Sequence, residues 1–160
     1  TMFASMYTAY ETLPDDLKAR IEGKSAIHSG KHIFGEGPDT YYKKTDAGGA
    51  RIANASAAKL LTDPVHPIVI THPLSGKKAL YVNPAFTREV VGVSKQESDE
   101  LLSDLYTHVF TGNDFHTRFE WAPGSIAMWD NRSTWHWAMN DYHGQRRIMH
   151  RITIEGCALS

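Results

Sequence analysis

Apolar residues recur with two different periods along this 160-residue chain, and the changes of period predict its helices and strands. Residues 3–22 are predicted to be helical and to end at Gly23, a natural helix stop. A second helix is predicted to begin at Ser94, because Ser94 and Glu97 form a capping-box pattern. Its apolar stripe consists of Leu101, Leu102, Leu105 and Val109.

Short runs of β-branched or alternating residues predict strands. Between the first helix and these strands, residues 35–59 are rich in glycine and polar side chains and are predicted to form a long, lid-like loop. Short strands with two or three helices predict a mainly β fold with flanking helices, either a β-sandwich or a jelly roll. The predicted strands are residues 65–71, 79–83, 115–121, 125–129 and 146–154.

Composition and charge exclude several classes of protein. An apolar content of 41% with 22% charged residues is ordinary for one globular domain. The formal net charge is −1, so we expect binding neither to nucleic acid nor to a membrane surface. The single Cys157 cannot form an internal disulfide, and residues 1–6 lack the features of a secretory signal, which predicts a cytoplasmic location.

The last predicted strand carries charged chemistry. Side chains alternate between the two faces of a strand, so Arg147 and Arg151 would share one face. Guanidinium groups pair bidentately with carboxylates, so this face suits a small organic anion, although the residues alone favour a solvated strand face. Upstream lies His136, which stands between two tryptophans and on the residues alone is more often a buried structural histidine than a metal ligand. The opposite strand face has core character and carries Ile148, Ile152 and Ile154.

Residues 129–136 and 141–154, "WDNRSTWH" and "DYHGQRRIMHRITI", closely resemble the C-terminal signature of the taurine/2,4-D dioxygenase (TauD/TfdA) family. The resemblance implies a double-stranded β-helix, or jelly roll, that uses Fe(II), 2-oxoglutarate and O₂. It implies that His136 is an iron ligand, that Arg147 binds the far carboxylate of 2-oxoglutarate and that Arg151 faces the acidic group of the substrate. The opening residues resemble the continuation of the family's Gly-Gly-Asp-Thr segment, which makes Thr1 a candidate 2-oxoglutarate contact.

The resemblance extends through residues 66–83, which are similar to the family's central hairpin. Phe86, just after it, is a candidate substrate contact, and core packing explains this residue equally well. His66 and His72 suggest a metal pair at first, but each precedes proline and the family treats both as structural. The implied substrate is a small organic anion such as an alkylsulfonate or an aryloxyalkanoate.

The other two iron ligands of the family form a His-x-Asp or His-x-Glu motif. None of the nine histidines in this sequence has an acidic residue two positions later. We therefore predict that residues 1–160 are the C-terminal portion of one dioxygenase domain, a jelly roll that is incomplete at its N-terminus and inactive alone. Two alternatives stay open: a degenerate jelly roll that binds a small anion without catalysis, and an assembly fragment whose sheet edges pair with a missing half or with another copy.

Overall fold

The computed structural model of the chain describes residues 1–31, 63–112, 114–139, 141–157 and 159. Within them lie eight β-strands and three α-helices. In chain order these are β1 (Met2–Ser5), α1 (Met6–Glu11), α2 (Asp15–Ile21), β2 (Ser25–His28), β3 (Val65–Pro67), β4 (Val69–Thr71), β5 (Lys78–Leu80), β6 (Thr87–Val90), α3 (Lys95–Thr111), β7 (His116–Arg118) and β8 (Thr134–Trp137).

The strands form three small antiparallel sheets. One sheet has the order β7-β1-β8, a second has the order β3-β2-β6, and β4 and β5 form a hairpin. This architecture confirms the prediction of a mainly β fold with flanking helices. The described strands do not close into a barrel, so the complete double-stranded β-helix stays a prediction.

The first twenty residues differ from the single helix that was predicted. Residues 2–5 form β1, and two short helices follow it. The helical prediction is wrong for β1 because this segment is hydrogen-bonded on both sides, to β7 and to β8, and those distant pairings outweigh local propensity. The predicted helix stop is confirmed, since Gly23 has φ +67°, a left-handed conformation that glycine adopts without strain.

Helix α3 follows the local sequence closely. The Ser94 side chain accepts a hydrogen bond from the Glu97 amide at 3.2 Å, which confirms the predicted N-terminal cap. The predicted apolar stripe is buried, and it packs in a core with α1, α2 and the β4–β5 hairpin. Trp135 of β8 joins this core and donates its indole N–H to the Val82 carbonyl at 2.7 Å.

The predicted strands are only partly confirmed. Residues 65–71 form two strands in different sheets, separated at Ile68, whose amide donates to the Lys24 carbonyl. Only residues 116–118 of the run 115–121 are strand, and residues 125–129 are irregular. The predicted loop at 35–59 lies outside the described residues.

The predicted final strand is wrong. Residues 146–154 are irregular, and Ile148, Ile152 and Ile154 are 61%, 92% and 84% exposed instead of buried. A strand exists only where a neighbouring backbone takes its hydrogen bonds, and no described strand pairs with this segment. Because this segment is in no described sheet, its alternating arginines and isoleucines are not separated onto a polar face and a buried face.

Candidate functional site

The pairing of β1 with β8 places two predicted site residues on one face of a sheet. Phe3 lies directly opposite His136 in the register. Trp135 points into the core, so His136 points to the other face, with Phe3. The backbone pairing continues beyond β1, because the Thr1 carbonyl accepts from the Phe119 amide at 2.7 Å. Thr1, two positions before Phe3, therefore shares the face that carries His136.

Two aromatic rings lie near the His136 ring. Its ring centroid lies 4.7 Å from that of Trp129 and 6.5 Å from that of Phe3, and Phe3 and Trp129 are 5.2 Å apart. Burial lowers the pKa of His136, and the positive charge of Arg151 lowers it further. At neutral pH the imidazole is consequently uncharged, which is the form that binds a metal ion.

The hydroxyl of Thr1 already has a hydrogen-bond donor. Trp121 donates its indole N–H to the Thr1 Oγ1 at 2.7 Å. A hydroxyl that accepts from one neighbour still has its own proton to donate, which leaves Thr1 able to bind an anionic oxygen. Trp121 was not among the predicted site residues. The signal for Trp121 in the sequence was its spacing, two positions after Phe119, which places both rings on one side of an extended segment.

The two arginines lie on the irregular C-terminal segment, so the prediction that they share a strand face is wrong. Arg151 is exposed, yet its charge acts on His136. Arg147 is half-buried, with its guanidinium carbon 5.3 Å from the centre of the Tyr142 ring, a cation–π contact. Their roles as cosubstrate and substrate ligands stay predictions.

Phe86 lies apart from the sheet that carries His136. It is half-buried in the turn before β6, where its amide donates to the Asn83 carbonyl at 3.0 Å. Its carbonyl accepts from the Ser29 amide at 2.8 Å, which connects this turn to the end of β2. The assignment of Phe86 to a substrate pocket stays a prediction.

The histidines of the central hairpin have separate environments. His72 is 5% exposed and uses both ring nitrogens within the protein, Nε2 with the Asp130 carboxylate and Nδ1 with the Leu74 and Ser75 amides. His66 instead packs against the rings of His28 and Tyr81, with centroids 5.4 and 5.6 Å away. These contacts give His72 a structural role.

A complete three-ligand iron centre is not present in the described part of the chain. No three histidine, cysteine, aspartate or glutamate side chains within it come together closely enough to hold a metal ion. His136 offers one neutral imidazole, and the sequence holds no His-x-acid motif. The described residues alone therefore do not fit the iron group that the resemblance implies.

Among these residues, no helix is long and apolar enough to cross a membrane.

Comparisons with known proteins agree with the resemblance. The family model described as "Taurine catabolism dioxygenase TauD, TfdA family" matches residues 1–153, and the chain belongs to this family. An alkylsulfatase of Acinetobacter baylyi is 38% identical over 156 residues, which are 98% of this chain and 47% of that protein. An alpha-ketoglutarate-dependent sulfate ester dioxygenase of Pseudomonas putida is 33% identical over 160 residues, with 98% and 50% covered.

Solved structures show the same likeness. The crystal structure of a taurine dioxygenase from Burkholderia xenovorans aligns with a TM-score of 0.61 and 32% identity, over 83% of this chain and 38% of that one. The family prediction is thereby confirmed, and so is the mainly β architecture. The chain spans half or less of the length of each of these three relatives.

Proposed function

We propose that this chain contributes to an Fe(II)- and 2-oxoglutarate-dependent dioxygenase that acts on small organic sulfonates or sulfate esters. The observation that supports this proposal most is the position of Thr1 and His136 on one sheet face. The positive charge of Arg151 also lowers the pKa of His136. The reaction class would be hydroxylation of a C–H bond by O₂, with 2-oxoglutarate converted to succinate and CO₂.

Each site residue has a chemical task in this proposal. His136 is one iron ligand, and the remaining ligands lie outside the set that the described residues provide. The Thr1 hydroxyl and the Arg147 guanidinium bind the carboxylates of 2-oxoglutarate, since a planar guanidinium suits bidentate pairing. Arg151 pairs with the anionic group of the substrate, and Phe86 forms an apolar wall for its carbon chain.

The relatives favour a sulfur oxyanion over an aryloxyalkanoate as the substrate group. Three of them are named for alkyl sulfates, sulfate esters or taurine. A sulfonate and a sulfate ester present the same tetrahedral, singly charged oxygen group, which an exposed guanidinium can pair with. Assays of succinate release by the dioxygenase to which this chain contributes, with an alkyl sulfate, taurine and an aryloxyacetate, would discriminate among the three classes.

The direct test of the cosubstrate site is 2-oxoglutarate binding to the protein with Arg147→Ala, measured by calorimetry without oxygen and with Fe(II). The variant should weaken binding about tenfold or more, because a charge-assisted hydrogen-bond pair is lost. Arg146→Ala removes the neighbouring, exposed guanidinium and is the matched control, which should stay within about twofold. Equal affinities of the wild type and Arg147→Ala would contradict the assignment.

A second candidate is an anion-binding module without catalysis. It is favoured by one observation, that the described residues bring together no group of three metal ligands. A module of this kind should bind 2-oxoglutarate or an alkyl sulfate equally well with and without EDTA, and should release no succinate. Loss of binding in EDTA would instead favour the iron-dependent enzyme.

Pairing of this chain with another copy stays a prediction, which sedimentation would test.

A further inference from the structure

A single carboxylate organises the turn that leads into β8. Asp130 Oδ1 accepts from the Arg132 backbone amide at 2.9 Å, and the Arg132 side chain binds both carboxylate oxygens through Nε and Nη2 at 2.6–3.1 Å. The Ser133 amide donates to the Asp130 carbonyl at 3.2 Å. The hydrogen bonds that the carboxylate accepts, led by those of the Arg132 side chain, hold the pKa of Asp130 well below its usual range, so the carboxylate is charged.

The same carboxylate contacts a buried histidine from a distant part of the chain. His72 Nε2 lies 3.0 Å from Asp130 Oδ2. The Nδ1 of His72 accepts from the Leu74 and Ser75 amides, so Nε2 carries the proton and donates it to Asp130. The Tyr7 ring packs edge-on against His72 with centroids 5.7 Å apart. One side of the Asp130 carboxylate is thus held by the packed core.

The turn is connected to His136 through Trp129. The Trp129 indole N–H donates to the Asn131 side-chain oxygen at 3.0 Å, and the Trp129 ring lies against the His136 ring. At the other end of the turn, the buried Ser133 accepts from the Met6 amide at 2.9 Å through its carbonyl. A displaced turn would therefore move Trp129 and the beginning of β8 together.

We propose that Asp130 is a positioning residue for His136, and that its hydrogen bond from His72 fixes the turn from which Trp129 packs against the imidazole. The proposal deepens the proposed function, because an iron ligand needs its ring orientation fixed to within a narrow range. Asp130 itself touches neither metal nor substrate in this scheme.

The test is an NMR measurement on the metal-free protein. Asp130→Ala should remove the cross-peaks between the Trp129 and His136 ring protons and shift the His136 ring resonances, while methyl signals of Leu105 and Val109 in the core stay in place. Asp130→Asn retains the shape and an acceptor for the Arg132 amide, so it should restore part of the Trp129–His136 signal. Asp104→Ala, which removes the carboxylate of an exposed ion pair with Arg20, is the control and should change none of these signals.

Intact Trp129–His136 cross-peaks in Asp130→Ala would overturn the proposal. If that variant does not fold, His72→Phe and Asp130→Asn decide, because the proposal requires weaker cross-peaks in both and unchanged spectra in either would refute it. The measurement uses neither iron nor 2-oxoglutarate. Failure of the Arg147 test therefore leaves this result unaffected, and the converse also holds.

Discussion

Helix α3 and the C-terminal segment at residues 141–157 both carry apolar residues at regular spacings, but only those of α3 are buried. Leu105 of α3 is fully buried, whereas Ile152 is 92% exposed. The difference lies in the partners: α3 lies against β6 and the core of α1 and the β4–β5 hairpin, while no described strand pairs with residues 141–157. An apolar pattern thus indicates which face prefers to leave water, and burial follows only where a second surface is available.

The contrast extends to the charged residues of the site. His136 lies on β8, and Thr1 directly precedes β1 and pairs through its backbone with Phe119, so backbone pairing determines which way their side chains point. Arg147 and Arg151 belong to the irregular segment, where no ladder determines their direction. In the candidate site, backbone pairing therefore sets the direction of the His136 and Thr1 side chains. The direction of the Arg147 and Arg151 side chains depends instead on contacts within the C-terminal segment.

The largest effect should come from the core. Leu105→Ala removes a fully buried side chain and leaves a cavity, so the free energy of unfolding should fall by about 2–5 kcal/mol. Urea unfolding followed by circular dichroism measures it. Leu74→Ala is the matched control, since Leu74 is 84% exposed and its truncation should change stability by less than about 0.5 kcal/mol. Similar losses in both variants would contradict the division into a packed and an exposed region.

A smaller effect should appear as a dependence on pH. Burial, and then the charge of His66, lowers the pKa of His28 from 6.5 to about 4. Between those values the unfolded chain binds a proton that the folded chain does not, so stability is complete above pH 6.5 and falls as the pH drops towards 4. His28→Gln should flatten the pH dependence of urea unfolding in this window by an amount on the order of 1–3 kcal/mol.

The control for this titration is His143→Gln, at an exposed position on the C-terminal segment. It should leave the slope of stability against pH unchanged. A slope that is the same in the wild type and in His28→Gln would show that the His28 imidazole titrates alike in the folded and unfolded states.

The smallest effect should come from the exposed isoleucines. Ile152→Ala should change the free energy of unfolding by less than about 0.5 kcal/mol, because the side chain is already in water. Ile70→Ala, at a fully buried position of β4, is the matched variant and should cost several times more. A loss above about 1.5 kcal/mol in Ile152→Ala would mean that this face is packed in solution, and sedimentation would then tell whether another copy covers it.

Local chemistry was sufficient where neighbours in sequence are also neighbours in space. The Ser94 and Glu97 cap, the buried stripe of α3 and the stop at Gly23 all depend on residues within a turn or two of each other, and each was predictable. The strand β1 was not, because its hydrogen bonds go to residues 116–118 and 134–137. The hydrogen bond between His72 and Asp130 joins residues 58 positions apart, which no local pattern shows.

The sequence by itself determined the family, the identity of His136, Thr1, Arg147, Arg151 and Phe86 as candidate site residues, and the absence of a His-x-acid motif, because these depend on residue types at given spacings. Only the tertiary structure decided that Thr1 and His136 share a face, that Trp129 packs on His136, and that the last predicted strand has no described partner. The physical reason is that a side chain's direction in a sheet is set by which backbone it pairs with, and that pairing is a property of distant segments meeting in space.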